Sequence, residues 1–406
     1  MLRDLQFRFS RTLLTVLTVA AVLAGILNFQ QQRRFELPND GVFWTDSPAG
    51  VEVRRITPDS PAERAGLRLG DVLLAINGVP VQKALRVPQI LLAIGTWKKA
   101  GYTIRRQGVE LRPTLIIQPA ERNPVLYYLY LLGLLYLLIG LFVFYRREGA
   151  PKSQHFYIFC LASFLLYSFH YTGKLNNFDR IIYWGNVWAS LFVPALLLHF
   201  CLTFSETGLW ARRRSLVVGL CYAPAALLMA AYIAAAGGLL QTSRSVVEMR
   251  EALDRLSFGL LTCYLLLAPL ALHLAYRRVA EAEDSLLRQQ LKWLKRGTFV
   301  GAAPFVACYA IPYLLGVVPK PWMGLAVLPL VLIPLTFAYA IARYRLMDVD
   351  VIFRRGFAYS LATMTVLGGF YALLFLLGDL IQRNFRDLGQ AGWIVAMLAA
   401  AFLFQP

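Results

Sequence analysis

Long apolar runs separated by short polar loops dominate this chain. The first run, Leu13 to Phe29, precedes a stretch over 30–123 that mixes apolar, polar and turn-forming positions. Apolar runs then return at 124–145, 154–172, 182–204, 215–239, 256–276, 298–318, 323–342, 358–381 and 392–405. A helix needs about 20 such residues to cross a hydrocarbon core of about 30 Å. The pattern predicts a polytopic α-helical membrane protein of about ten spans, with one small mixed α/β domain between the first and second. The expected organisation is an N-terminal membrane anchor over 1–29, an extracytoplasmic domain over 30–123 and a nine-span helical membrane domain over 124–406.

Composition supports this. Of 406 residues, 58% are hydrophobic and 16% charged, against about 45–50% apolar in soluble domains. A soluble enzyme and a disordered chain both fit poorly. The net charge of +18 sits in short clusters between apolar runs, which is the positive-inside pattern and not a nucleic-acid face. Loops on one side carry nineteen Lys and Arg residues, those on the other eight, the 30–123 domain aside. The bias places both termini of this multi-pass chain in the cytoplasm and the 30–123 domain outside it. Arg3, Arg8 and Arg11 precede the first run, and Asn28-Phe29-Gln30 offers no small-x-small cleavage site, so the run is expected to stay as an anchor.

Little in the sequence points to catalysis. The cysteines Cys160, Cys201, Cys221, Cys263 and Cys308 form no CxxC pair and read as small buried apolar side chains. HExxH and G-x-S-x-G are missing, which leaves no zinc-protease pair or nucleophile elbow. The histidines His155, His170, His199 and His273 lie in or near different spans without metal spacing. No cofactor, no metal and no enzymatic activity are expected within these residues. His199, the deepest histidine, and Asp379 are the candidate intramembrane polar residues.

The most specific local pattern runs from Ile56 to Gly78. Ser60 is placed to cap a short helix, with Pro61 at its first position and Glu63 completing a capping box. Gly66 ends that helix, Val72 to Ile76 reads as a strand, and Asn77-Gly78 signals a tight hairpin. Strands are also expected at Val51–Ile56, Tyr102–Arg106 and Glu110–Ile117, and a second helix near Val87–Ile94.

This SPAxxAGLxxGDxxxxING stretch resembles the PDZ family, over about residues 38–120. The resemblance implies capture of an extended peptide or protein C-terminus along a sheet edge. It maps the capture loop to Pro48, Ala49, Gly50 and Val51, the groove floor to Val51 and Val53, and the helix side to Val87 and Leu91. A structural PDZ domain that packs on its own membrane domain or on a partner, without binding free C-termini, is the alternative.

Two loops carry a second resemblance. Arg277 to Gly297 contains an amphipathic segment with Leu287, Leu291 and Leu294 at helical spacing, and Trp293 at an interfacial position. The pattern RxRLxDxDVxxRRxxxY from Arg343 to Tyr359 follows an apolar span. Together with RQQLKWL at 288–294, it resembles the membrane input region of bacterial sensor histidine kinases, including ComP-like quorum-sensing kinases, or of receptors with a SpoIIE-type serine phosphatase. The resemblance implies a two-component signalling receptor and a homodimer by analogy, with membrane lipids as surroundings. It also implies an output domain beyond Phe402-Leu-Phe-Gln-Pro406, so the chain is expected to be the input half of a longer protein. Arg288, Trp293, Asp348, Arg354 and Arg355 are the candidate coupling residues. A membrane-anchored PDZ scaffold without signalling output is the rival reading.

Overall fold

The computed structural model describes residues 2–120, 125–146, 152–204, 214–239, 246–281, 285–317 and 321–343. The first helix, α1, spans Leu2–Arg34. At 1.5 Å per residue its 33 residues extend about 50 Å, so it runs past its apolar stretch into the domain that follows. Ala21 sits with Leu137, Leu161 and Phe164 in one apolar cluster. At its domain-side end, Asn28 is fully buried and exchanges hydrogen bonds with the His170 backbone, Nδ2 to O at 2.8 Å and N to Oδ1 at 3.0 Å.

The β-rich domain occupies Pro38 to Pro119. Its strands are β1 Pro38–Asn39, β2 Val42–Ser47, β3 Gly50–Ile56, β4 Val72–Ile76, β5 Val79–Pro80, β6 Lys99–Arg106, β7 Val109–Leu111, β8 Thr114–Ile116 and β9 Gln118–Pro119, with helices α2 Pro61–Arg64 and α3 Arg86–Ile94. The main path runs β2-β3-β4-β6-β7, while β1 pairs with β9 separately. The local chemistry behaves as its residues dictate. Ser60 Oγ accepts from Glu63 N at 3.3 Å. The Glu63 carboxylate reaches back to Asp59 N at 2.7 Å, one residue before the expected partner. Asn77 and Gly78 both take positive φ, +48° and +79°, which closes the β4–β5 hairpin in two residues. The expected strand at Glu110–Ile117 is divided into β7 and β8 around Arg112-Pro113, because proline has no N–H to give the ladder.

Seven helical runs follow. They are α4 Val125–Arg146, α5 Ser153–Ser168, α6 Asn177–Thr203, α7 Arg214–Ala236, α8 Val246–Glu281, α9 Ser285–Phe305 and α11 Leu332–Arg343. Helix α9 continues through a π-helical turn, Val306–Ala310, into α10, Ile311–Leu314. A 3-10 run, Pro321–Val331, leads into α11. Among the described residues, seven helices are long and apolar enough to cross a membrane: α1 and these runs except α5. The expected count of ten is not reached there, and the spans at 358–381 and 392–405 lie outside the described residues.

Helix α5 is shorter than the apolar run that predicts it. It stops at Ser168, and the next residues are held in a loop by a buried carboxylate. Asp179 is 0% exposed and accepts from Thr172 N, Thr172 Oγ1 and Gly173 N at 2.8–2.9 Å. These bonds hold Thr172 and Gly173 away from a helical continuation. The bundle core includes Phe156, Phe200 and Phe337, with the last two rings stacked 5.1 Å apart.

Candidate ligand-binding edge

Strand addition needs an edge whose backbone groups have no partner strand. The main path ends in two such edges, the three-residue β7 and the six-residue β2, and the longer one is β2. Strand β3 cannot serve, because β2 flanks it along its length and β4 pairs with Val51 and Glu52. The groove mapped by resemblance to residues 48–53 therefore has to be corrected. Pro48 and Ala49 form the exposed tip of the β2–β3 hairpin. Gly50 opens β3 at φ +122°, and Val51 and Val53 are core residues at 0% and 2% exposure. Val87 and Leu91 also face the core, from α3. No element places these residues together along an open edge. What the sequence reading missed is β2 itself.

A buried carboxylate fixes the start of β2. Asp40 Oδ2 accepts from Trp44 Nε1 and from Tyr102 OH, both at 2.9 Å. Its Oδ1 accepts from Val42 N at 3.0 Å. Burial pushes the Asp40 carboxyl up, although these three hydrogen bonds oppose the rise. The Tyr102 hydroxyl is raised by the same burial and by the neighbouring Asp40 charge. Gly41 takes φ +84°, and a Cβ there would lie 2.1 Å from Ser60 Cβ. Only glycine satisfies both the conformation and the contact. Trp44 is thereby turned inward, stacked on Tyr102 with ring centroids 6.3 Å apart, while Phe43 remains exposed beside the free edge.

A second carboxylate braces the far side of the sheet. Asp71 receives both prongs of Arg106, Nε and Nη2, at 2.7 Å, and Arg68 N at 2.8 Å. Burial raises its carboxyl, but the guanidinium and the amide outweigh that and hold it below its ordinary value of 3.8. Its contribution to stability is therefore present above that ordinary value and is lost as pH falls through the lowered one. Asp71→Asn is expected to cost about 2 kcal/mol near neutrality and to flatten the acid limb of the unfolding curve. Thermal unfolding followed between about pH 5 and about pH 2 checks both.

The domain meets the membrane bundle beside this edge. Arg54 Nη1 of β3 lies 3.6 Å from Glu251 Oε2 near the start of α8. Helix α8 has 36 residues, about 54 Å of helix, and carries Tyr276 towards its far end. There the Arg288 guanidinium lies 5.8 Å and Lys295 Nζ 4.5 Å from the Tyr276 ring centroid. Trp293 packs edge-on against Tyr339 of α11 at 5.0 Å, and Gln290 Nε2 donates to Ala340 O at 3.1 Å. Arg288 and Trp293 thus join the far ends of α8, α9 and α11. Asp348, Arg354, Arg355 and Asp379 lie outside the described residues.

His199 sits one turn from the end of α6, with Nδ1 3.0 Å from Tyr222 OH. Its ring meets that of His155 at 4.5 Å, a contact that sequence spacing does not reveal. Among the described residues, no three His, Cys, Asp or Glu side chains are placed to hold a metal ion.

Comparison with known proteins accounts for both halves. The family described as the N-terminal 7TM region of histidine kinase matches residues 128–350, more than half of the chain. The chain belongs to this family. Among the described residues, six helices after the PDZ domain are long and apolar enough to cross a membrane. A PDZ domain family matches residues 52–93, so this 7TM sensor region is preceded by a PDZ domain. The PDZ part is similar to the putative serine protease HhoA of Synechocystis sp., 38% identical over 76 residues, which are 18% of this chain and 19% of that protein. It is also similar to the probable periplasmic serine endoprotease DegP-like of Ectopseudomonas mendocina, 33% identical over 81 residues, 20% of this chain and 17% of that protein. The chain spans less than a fifth of the length of these relatives. A solved HtrA3 PDZ domain bound to a phage-derived ligand, FGRWV, is 20% identical, covers 20% of this chain and 86% of that one, and superposes with a TM-score of 0.19.

Proposed function

We propose that this PDZ-7TM sensor region reads extracytoplasmic peptides or protein C-termini and passes their binding to a histidine kinase output outside these residues. The unpaired edge of β2, beside the Arg54–Glu251 contact to α8, carries this reading. An extended peptide adds to that edge through its main chain. Helix α8 is continuous from that contact to Tyr276, where Arg288 and Lys295 gather. A shift of α8 is therefore felt at α9 and α11. Ligand binding biases such a relay only if the two bundle states hold the ligand differently, and a ligand seated beside the Arg54–Glu251 contact would meet a different surface in each. The Lys and Arg bias supports an inner-membrane protein with both ends cytoplasmic and the PDZ domain outside. Catalysis belongs to the output, and none is assigned to this chain.

The test uses the full chain in lipid nanodiscs and C-terminally free peptides selected against it. Backbone N-methylation at alternate peptide positions is expected to abolish binding, because strand addition rests on main-chain hydrogen bonds. Undiminished affinity of the methylated peptides would overturn strand addition. Amidating the C-terminus separates carboxylate capture from edge pairing, since only capture is weakened by it.

A further inference from the structure

A cleft of about 830 Å³ lies between the PDZ domain and the domain-side ends of α6, α7 and α8. The PDZ wall is Phe43 of β2, Arg54 and Arg55 of β3, and Leu85 before α3. The bundle wall includes Arg180, Tyr183, Tyr232, Arg250 and Asp254. This volume lies within the roughly 300–1,000 Å³ usual for ligand sites.

The charges in the cleft are unbalanced. Its four arginines face two carboxylates, Glu251 and Asp254. Both carboxylates are already engaged. Glu251 pairs with Arg54 at 3.6 Å and with Arg255 at 2.9 Å. Asp254 pairs with Arg250 at 3.8 Å and accepts from Tyr232 OH at 2.6 Å. Arg250 also lies over the Tyr183 ring at 5.0 Å. Arg55 and Arg180 are exposed, and among the described residues neither has a carboxylate within 4.0 Å. Arg55 covers the Phe43 ring at 5.6 Å, directly beside the β2 edge.

We propose that this cleft is the second half of the ligand site and selects acidic peptides, whose main chain lies on β2 and whose carboxylate side chains meet Arg55 and Arg180. The proposal rests on β2 being the strand-addition edge. Guanidinium–carboxylate hydrogen bonds are the strong, charge-assisted kind, and tyrosine walls suit the apolar parts of a peptide. A peptide is favoured over a lipid headgroup because Arg55 belongs to the PDZ sheet and adjoins a strand edge that only an extended chain uses. A ligand held by both walls touches the sensor domain and α8 at once.

The experiment uses the full chain in phosphatidylcholine nanodiscs and a random library of C-terminally free decapeptides. Selection is expected to enrich Asp and Glu upstream of the C-terminus. The best acidic peptide is expected to bind the Arg55→Gln/Arg180→Gln variant about tenfold more weakly, while its Gln-substituted analogue binds both proteins equally. Both side chains are exposed, so the variant should keep its fold, which its melting curve checks. Enrichment without acidic preference, or equal affinity for the variant, overturns the cleft assignment and leaves the β2 edge standing. No enrichment at all overturns both. An acidic preference that vanishes in discs containing phosphatidylglycerol assigns the cleft to anionic lipid and overturns the peptide.

Discussion

Asp40→Ala is expected to unfold the start of the PDZ sheet and to abolish ligand binding at β2. The substitution leaves two buried donors, Trp44 Nε1–H and Tyr102 O–H, without the oxygen that now accepts both at 2.9 Å. An unsatisfied buried polar group costs about 1–3 kcal/mol, so the pair costs about 2–6 kcal/mol. That is a large fraction of the roughly 5–15 kcal/mol that holds a domain together. Val42 N also loses its acceptor, which frees the β2 backbone at the end where the strand begins. Urea unfolding of the full chain, followed by proteolysis within 38–119, measures the loss. The carboxylate carries its own pH signature. A raised acid binds its proton more readily in the folded state, so its stabilising share falls as pH rises from 3.8 through the raised value. This slope is opposite in sign to that of Asp71. Substituting each in turn should remove one slope and leave the other.

Gly297→Leu is expected to separate α9 from α11. A Cβ at Gly297 would lie 2.0 Å from Thr336 Oγ1 and 2.5 Å from Thr336 Cβ. Thr336 cannot swing away cheaply, because its hydroxyl donates to Leu332 O at 2.8 Å and its Cβ is fixed to the helix. Overpacking a well-packed contact costs about 1–3 kcal/mol for small additions, and leucine adds far more than a methyl group. Small residues serve membrane helices by permitting close backbone approach, and this pair sets the spacing at which Trp293 meets Tyr339. Gly297→Ala should show the smaller cost, and Thr336→Gly should relieve it in the double variant. Detergent thermal unfolding of the wild type, Gly297→Leu, Thr336→Gly and the double variant reads the cycle. An unaltered melting curve for Gly297→Leu would contradict the packing described for α9 and α11.

Local chemistry explains what could be read in advance. The caps, turns and strand between Ser60 and Gly78 depend on residues within a few positions of one another, and the spans depend on apolar length alone. The groove did not, because which strand lies at an edge is a property of sheet order. Val42–Ser47, followed at once by Pro48-Ala49-Gly50, is not among the strands expected from the sequence, yet it forms an edge strand in which Asp40 holds Trp44 inward. The resemblance maps the capture loop onto Pro48 to Val51, just before β3, whereas the pairing of β3 on both sides follows from sheet order alone. The early end of α5 has the same kind of origin, since the carboxylate that holds Thr172 and Gly173 comes from Asp179 on the next helix. The His155–His199 contact joins two helices across 44 positions, beyond any spacing rule.

Hydrogen exchange of the full chain in nanodiscs, with and without a selected peptide, reads strand addition at β2 and its relay through α8 in one experiment. Slowed exchange is expected at the β2 amides, Val42 to Ser47, together with altered exchange near Tyr276 and Arg288, where α8 meets α9. Protection confined to the membrane helices, or to PDZ segments other than β2, would contradict strand addition at β2.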